Sequence, residues 1–154
     1  MNDESRGRIL AIDIGSVRIG LALSDELRLT AQPLEVIPRK PEKKLLHVIR
    51  DIIDSKDVRE LVVGLPLNLK GEDTLSTTDA REFADVLKQR FPTVPVVLWD
   101  ERMTTAASES FLIDAGVRRS KRRQVVDKIA AVMILDSYLQ YKRIQKNRRA
   151  QPGD

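Results

Sequence analysis

The chain has 154 residues, 42% hydrophobic and 32% charged, which suits one soluble globular domain large enough to bury its own core. It has no cysteine, a single histidine (His47) and 4% aromatics. Disulfides, thiolate catalysis and Cys-ligated zinc are therefore excluded, a His-dependent triad has little scope, and an aromatic platform for stacking bases is disfavoured. The net charge of +4 sits largely in "RRSKRR" (Arg118–Arg123) and "KRIQKNRR" (Lys142–Arg149). Such clusters suit an anionic partner, nucleic acid first, and they equally suit a solvated loop and a solvated helix end. The polar "MNDESRGR" start has no apolar signal core, and no apolar run approaches the roughly 20 residues that span a bilayer, so a cytoplasmic protein with no membrane partner is expected.

In chain order, Arg8–Ile14 and Arg18–Ser24 read as strands joined through Gly15–Val17 in a hairpin. A short third strand is predicted at Leu34–Ile37. Pro38 and Pro41 then break the chain before a helix whose apolar positions Leu45, Leu46, Val48, Ile49, Ile52 and Ile53 keep a helical period. His47 lies in this helix and reads as a packed or solvated residue, since no second histidine could join it as a ligand. Glu60–Leu65 is a β-rich apolar run ended by Pro66, and "LNLKGEDT" forms a loop. A helix over Thr78–Arg90 follows, with Phe83, Ala84, Val86 and Leu87 inward, and then a strand over Pro95–Trp99. Thr104–Ala115 reads as a helix stopped by Gly116, and Val125–Tyr141 as a final helix after a basic loop. The order predicts an α/β fold, a mixed five-stranded sheet flanked by helices, with antiparallel strands on one side and parallel crossovers on the other. Residues 1–141 would form the domain, and 142–154 a basic, frayed or disordered tail.

Asp13 raises the chemical question, because an unpaired carboxylate on a buried strand needs compensation. It lies near the C-terminal end of its strand, where α/β sheets gather functional groups, and Asp100 and Glu101 end another strand. Asp127 is expected to begin the last helix, where Ala130 and Ala131 would let that helix approach the sheet and bring Asp127 toward Asp13. Asp100 could instead cap a turn, Glu101 could pair with Arg102, and Asp127 could be an acid favoured by the helix dipole. Converging carboxylates without His or Cys select hard cations, Mg²⁺ or Mn²⁺, and such ions serve phosphodiester cleavage.

The segments "DIGSVRIGLALSD", "VVGLPLNLKGEDT", "DERMTT" and "KRRQVVDKIAAVMILDSYL", in this order, resemble the YqgF family, also called RuvX or Holliday-junction-resolvase-like proteins. The resemblance covers Arg8 to Tyr141. It implies a ribonuclease H-like fold, a cytoplasmic bacterial protein and a divalent-metal nuclease. The implied task is maturation of the 5′ end of pre-16S ribosomal RNA, with a four-way DNA junction as the alternative substrate. Carried over by motif, Asp13, Glu101 and Asp127 are the catalytic metal acids, and Arg18 and Arg102 are placed for phosphate contact. Asn68 and Gly71 belong to a loop where substrate would pass. Lys121, Arg122 and Arg123 would hold the nucleic acid through its backbone. Thr104 and Thr105 match paired threonines whose hydroxyls would cap the following helix. The chain departs from the family pattern at Ile14 and Val17, which removes one possible phosphate contact, and at Asp136, which is expected to be exposed. An actin-like ATPase shares the Asp13–Gly15 step but needs two such domains. A ribosome-assembly factor without catalysis would lack an acid, and none is missing here. A monomer favours the RNA reading, since a resolvase needs the paired sites of a homodimer.

Overall fold

The computed structural model describes residues 6–104 and 119–149, with side chains over 6–104 and 129–149. Its strands are β1 (Arg8–Ile14), β2 (Arg18–Ser24), β3 (Ala31–Pro38), β4 (Val58–Leu65) and β5 (Val96–Asp100). They form one sheet in the order β3-β2-β1-β4-β5. β1, β2 and β3 pair antiparallel, while β1, β4 and β5 pair parallel, which is the mixed sheet expected. The helices are α1 (Glu42–Ser55), α2 (Leu75–Arg90) and α3 (Arg119–Arg149), with a 3-10 turn at Glu101–Met103.

Both faces of the sheet are covered, so β1 and β4 read as nearly continuous apolar runs. On one face Leu10, Ile12, Leu61 and Val63 pack under Leu45, Ile49, Phe83 and Leu87 of α1 and α2. On the other, Ile9, Ala11, Ala22 and Val62 pack under Ala131, Ile134, Leu135, Tyr138 and Leu139 of α3. Each large side chain buried this way contributes about 1.5–3 kcal/mol. The second layer has alanine on both sides of the contact, so α3 lies close to the strands. Trp99 closes that layer, its ring edge-on to Tyr138 at 5.4 Å and its Nε1 donating to Ser137 Oγ at 2.8 Å.

Several boundaries move for identifiable reasons. β3 runs from Ala31 to Pro38 and includes two prolines, which an edge strand tolerates because its outer N–H groups have no partner. β4 begins at Val58. α2 starts at Leu75 because Thr74 and Thr77 form a reciprocal capping box three residues upstream of the expected start. α3 begins at Arg119, so most of the expected basic loop is helix, and Asp127 lies two turns inside α3 instead of at its start. Arginine, lysine and glutamine are good helix formers, and no glycine or proline interrupts them. For the same reason α3 continues through Lys142 to Arg149, where a disordered tail was expected, with Gln145 Nε2 donating to Tyr141 at 2.5 Å. Asp136 is half-buried on α3 and accepts from Gln140 at 2.8 Å. The helix expected over Thr104–Ala115 falls, beyond Thr104, outside the described residues. Among the described residues, no helix is long and apolar enough to cross a membrane.

Candidate active site

Sheet register brings two of the three predicted acids together. Asp13 is opposite Gly20 on β1, and Gly64 of β4 is opposite Trp99 of β5. Successive residues alternate between faces, so Asp13 shares the α3 face with Ile9 and Ala11, and Gly64 shares it with Val62. Glu101, the first residue after β5, folds its carboxyl back over Gly64. A Cβ added to Gly64 would lie 2.5 Å from Glu101 Oε1 and 2.6 Å from Ile134 Cδ1 of α3. The absent side chain is the space that Glu101 occupies.

Glu101 and Asp13 make a carboxyl–carboxyl hydrogen bond. Burial first, and then the Asp13 charge and this hydrogen bond, push Glu101 up to about 8, well above the usual carboxylate range. Two carboxyl groups this close share a proton or a cation. An all-oxygen pair fits a hard divalent ion, which would displace the shared proton. Among the described residues, no group of three His, Cys, Asp or Glu side chains could hold a metal. The third predicted acid, Asp127, lies on α3 one turn before the buried Ala131, and its side chain is outside the described residues, as are those of Lys121, Arg122 and Arg123.

The neighbouring DER residues divide their roles. Asp100 takes the capping role left open by the sequence: its Oδ1 accepts the Arg102 backbone N–H at 2.9 Å. It also grips the Arg102 guanidinium, from Nη2 to Oδ2 at 2.7 Å, and this contact holds the Asp100 carboxyl below its ordinary range. Glu101 is therefore left to Asp13, and the local partner of Arg102 is Asp100. Arg102 also lies against Gly71, 3.0 Å from where a Cβ would be. Thr104 turns its hydroxyl back to the Glu101 carbonyl at 2.6 Å, closing the 3-10 turn, and the helix it was expected to cap lies outside the described residues. Asn68 folds its own loop, its Oδ1 accepting the N–H groups of Lys70 at 3.0 Å and Glu72 at 2.8 Å.

The β1–β2 turn beside Asp13 is tight. Gly15 N–H donates to the Arg18 carbonyl at 2.9 Å, and a Cβ at Gly15 would meet that carbonyl oxygen at 2.6 Å. Arg18 is half-buried at the start of β2. Sequence reasoning missed the residue that clamps this turn, Arg39. Its backbone N–H donates to the Val17 carbonyl at 2.9 Å, and its Nη1 donates to the Gly15 carbonyl at 3.1 Å. The same guanidinium takes Asp79 of α2 in a two-pronged contact, which raises the Arg39 proton affinity and lowers that of Asp79. Gly64 was missed as well, although a lone glycine within an apolar strand is a recognisable sign of close approach. A concavity of about 1030 Å³ at the other end of the sheet is lined by Arg28, Arg59, Asp54 and Asp57 in mixed sign, away from the acid pair.

The family model described as RuvX, Holliday junction resolvase, matches residues 7–141. A "Putative pre-16S rRNA nuclease" of Koribacter versatilis is 44% identical over 140 residues, 91% of each chain. One of the same name from Halothermothrix orenii is 46% identical over 134 residues, 87% of this chain and 95% of that protein. Among solved structures, T. thermophilus RuvC in complex with Holliday junction substrate aligns with a TM-score of 0.54 at 17% identity, over 88% of this chain and 96% of that one. A second Thermus thermophilus RuvC structure gives 0.53 at 13% identity with the same coverage. At these identities the likeness bears on the fold, which is ribonuclease H-like. With the family match spanning nearly the whole folded region, the chain belongs to the RuvX family.

Proposed function

We propose that this protein is a divalent-metal-dependent nuclease of the bacterial cytoplasm that hydrolyses phosphodiesters in the 5′ maturation of pre-16S rRNA. The observation that carries the reading is the Asp13–Glu101 carboxyl pair, its carboxyl groups hydrogen-bonded to each other and Glu101 seated over Gly64. The names of the relatives support RNA as the substrate. Asp13 and Glu101 would hold Mg²⁺ or Mn²⁺, with Asp127, on the helix that covers the same face, completing the donor set. Such an ion would supply the charge that makes water nucleophilic and stabilises the leaving oxygen. Arg102, braced by Asp100 and lying against Gly71, presents N–H donors to the strand beside the asparagine loop. Arg18 at the hairpin and Lys121, Arg122 and Arg123 on α3 hold the backbone through charge.

Asp13→Asn is expected to abolish cleavage of a pre-16S 5′-leader RNA in Mg²⁺ while preserving or tightening RNA binding, because a charge that repels phosphate is removed. Cleavage by Asp13→Asn at the wild-type rate would overturn the assignment. The family's description favours a second reading, resolution of four-way DNA junctions. Matched assays on leader RNA and a four-way DNA junction separate the two, and symmetric paired cuts by a dimer would assign the junction.

A further inference from the structure

The last turns of α3 stand beyond the core. Leu139 is the last buried residue of the helix, yet α3 continues to Arg149, beyond the 7–141 family match. Between Lys142 and Arg149 lie five cations and no acid. Among the described residues none of the five makes an ion pair. Complementing the helix dipole accounts for charge in the final turn, but not for Lys142 and Arg143 before it. Lys142, Arg143, Lys146 and Arg149 share one groove with Leu27 and Leu29 of the β2–β3 loop. That loop is held in place: Asp25 Oδ1 accepts the N–H groups of Leu29 at 2.7 Å and Thr30 at 2.9 Å, and Arg28 Nε donates to the Gly7 carbonyl at 2.9 Å. Four cations at helical spacing thus form a track about 10 Å long along a braced wall.

We propose that this track is a second nucleic-acid contact, which grips the phosphate backbone of the substrate at a distance from the acid pair. The choice of occupant rests on the nuclease reading above, and charge complementarity supports it. Ile134 of α3 lies against the Gly64–Glu101 site, and Lys146 is twelve residues further along, about 18 Å by helical rise. The helix therefore links the reacting end of the molecule to a holding end. The contact reads charge and carries no base specificity.

The test is binding of a short RNA duplex to the full chain in EDTA, followed by anisotropy across a salt series. Without divalent ions its outcome does not depend on whether Asp13 and Glu101 cut anything. Replacing Lys142, Arg143, Lys146 and Arg149 by alanine keeps the helix, since alanine is the best helix former, and circular dichroism with a melting curve checks this. The expected result is weaker binding and a salt slope reduced by about 3–4, close to 0.9 for each phosphate that is no longer neutralised. Lys43→Ala with Lys44→Ala on α1, in the opposite layer, is the control and should leave the slope unchanged. An unchanged slope in the α3 variant overturns the proposal, as does an equal loss per charge in the control. Loss of poly-glutamate binding with RNA binding intact would assign the track to an acidic protein and overturn it too.

Discussion

Glu101 occupies a position that only a glycine opposite could permit, and its chemistry follows from that confinement. Pressed over Gly64 and against Asp13, it keeps a proton to about pH 8, whereas an unfolded chain releases it near 4.5. Between those values the folded state binds more protons than the unfolded state, so stability without metal falls as pH rises through the window. The loss is at most about 1.4 kcal/mol per pH unit. Urea unfolding in EDTA at several pH values should show this slope, Glu101→Gln should flatten it, and saturating Mg²⁺ should do the same by replacing the proton. A slope unchanged in the glutamine variant would reject the assignment. Gly64→Ala forces the tip of Glu101 or Ile134 aside. Because misplacement of a reacting group by about 1 Å can cost up to 100-fold, cleavage should fall about 10- to 100-fold with little change in melting temperature. Wild-type turnover in that variant would show that the carboxyl can relocate without penalty.

At the scale of elements, short polar contacts decide how the supports of the site begin and end. α2 is started by Thr74 and Thr77, with Thr77 fully buried and its hydroxyl donating to the Pro66 carbonyl at the end of β4. The cap therefore also fastens α2 to the strand that carries Gly64. Thr74→Ala should destabilise the protein by about 1 kcal/mol in urea unfolding, with the loss confined to stability. The Arg39–Asp79 contact acts similarly on the hairpin, tying the Gly15–Val17 turn to α2. Asp79→Asn weakens that tie, and its expected signature is faster hydrogen exchange at the Gly15 and Arg39 amides, with β4 unaffected.

At the scale of the whole molecule, α3 lies against the face of the sheet that carries Asp13 and Gly64. It can lie close because Ala11, Ala22 and Ala131 meet there. Ala131→Leu inserts a side chain where no space exists and should cost about 1–3 kcal/mol. It should also lift the helix, altering the near-ultraviolet signal of Trp99, which packs on Tyr138 of α3. Cleavage should fall further than stability, since Asp127 rides on the same helix. An intact aromatic signal with full activity would mean that the helix does not set the site.

The sequence alone determined the layer architecture, because hydrophobic period and the Pro–Gly punctuation act locally: five strands, the crossover helices and the mixed sheet are legible in it. It also marked Asp13 and Glu101, since acids at strand ends beside an apolar core carry a cost that demands a partner. Helix ends were less legible, because caps such as Thr74 and unbroken runs of good helix formers such as Arg119–Arg123 do not advertise where the helix starts. Tertiary structure alone decided that Glu101 goes to Asp13, leaving Arg102 to its local partner Asp100. It alone also turned Gly64 into the space for a carboxylate and set Arg39 as the clamp on the hairpin. The deciding contacts join residues far apart in the chain, 24 positions for Gly15 and Arg39 and 88 for Asp13 and Glu101, and no local pattern encodes them.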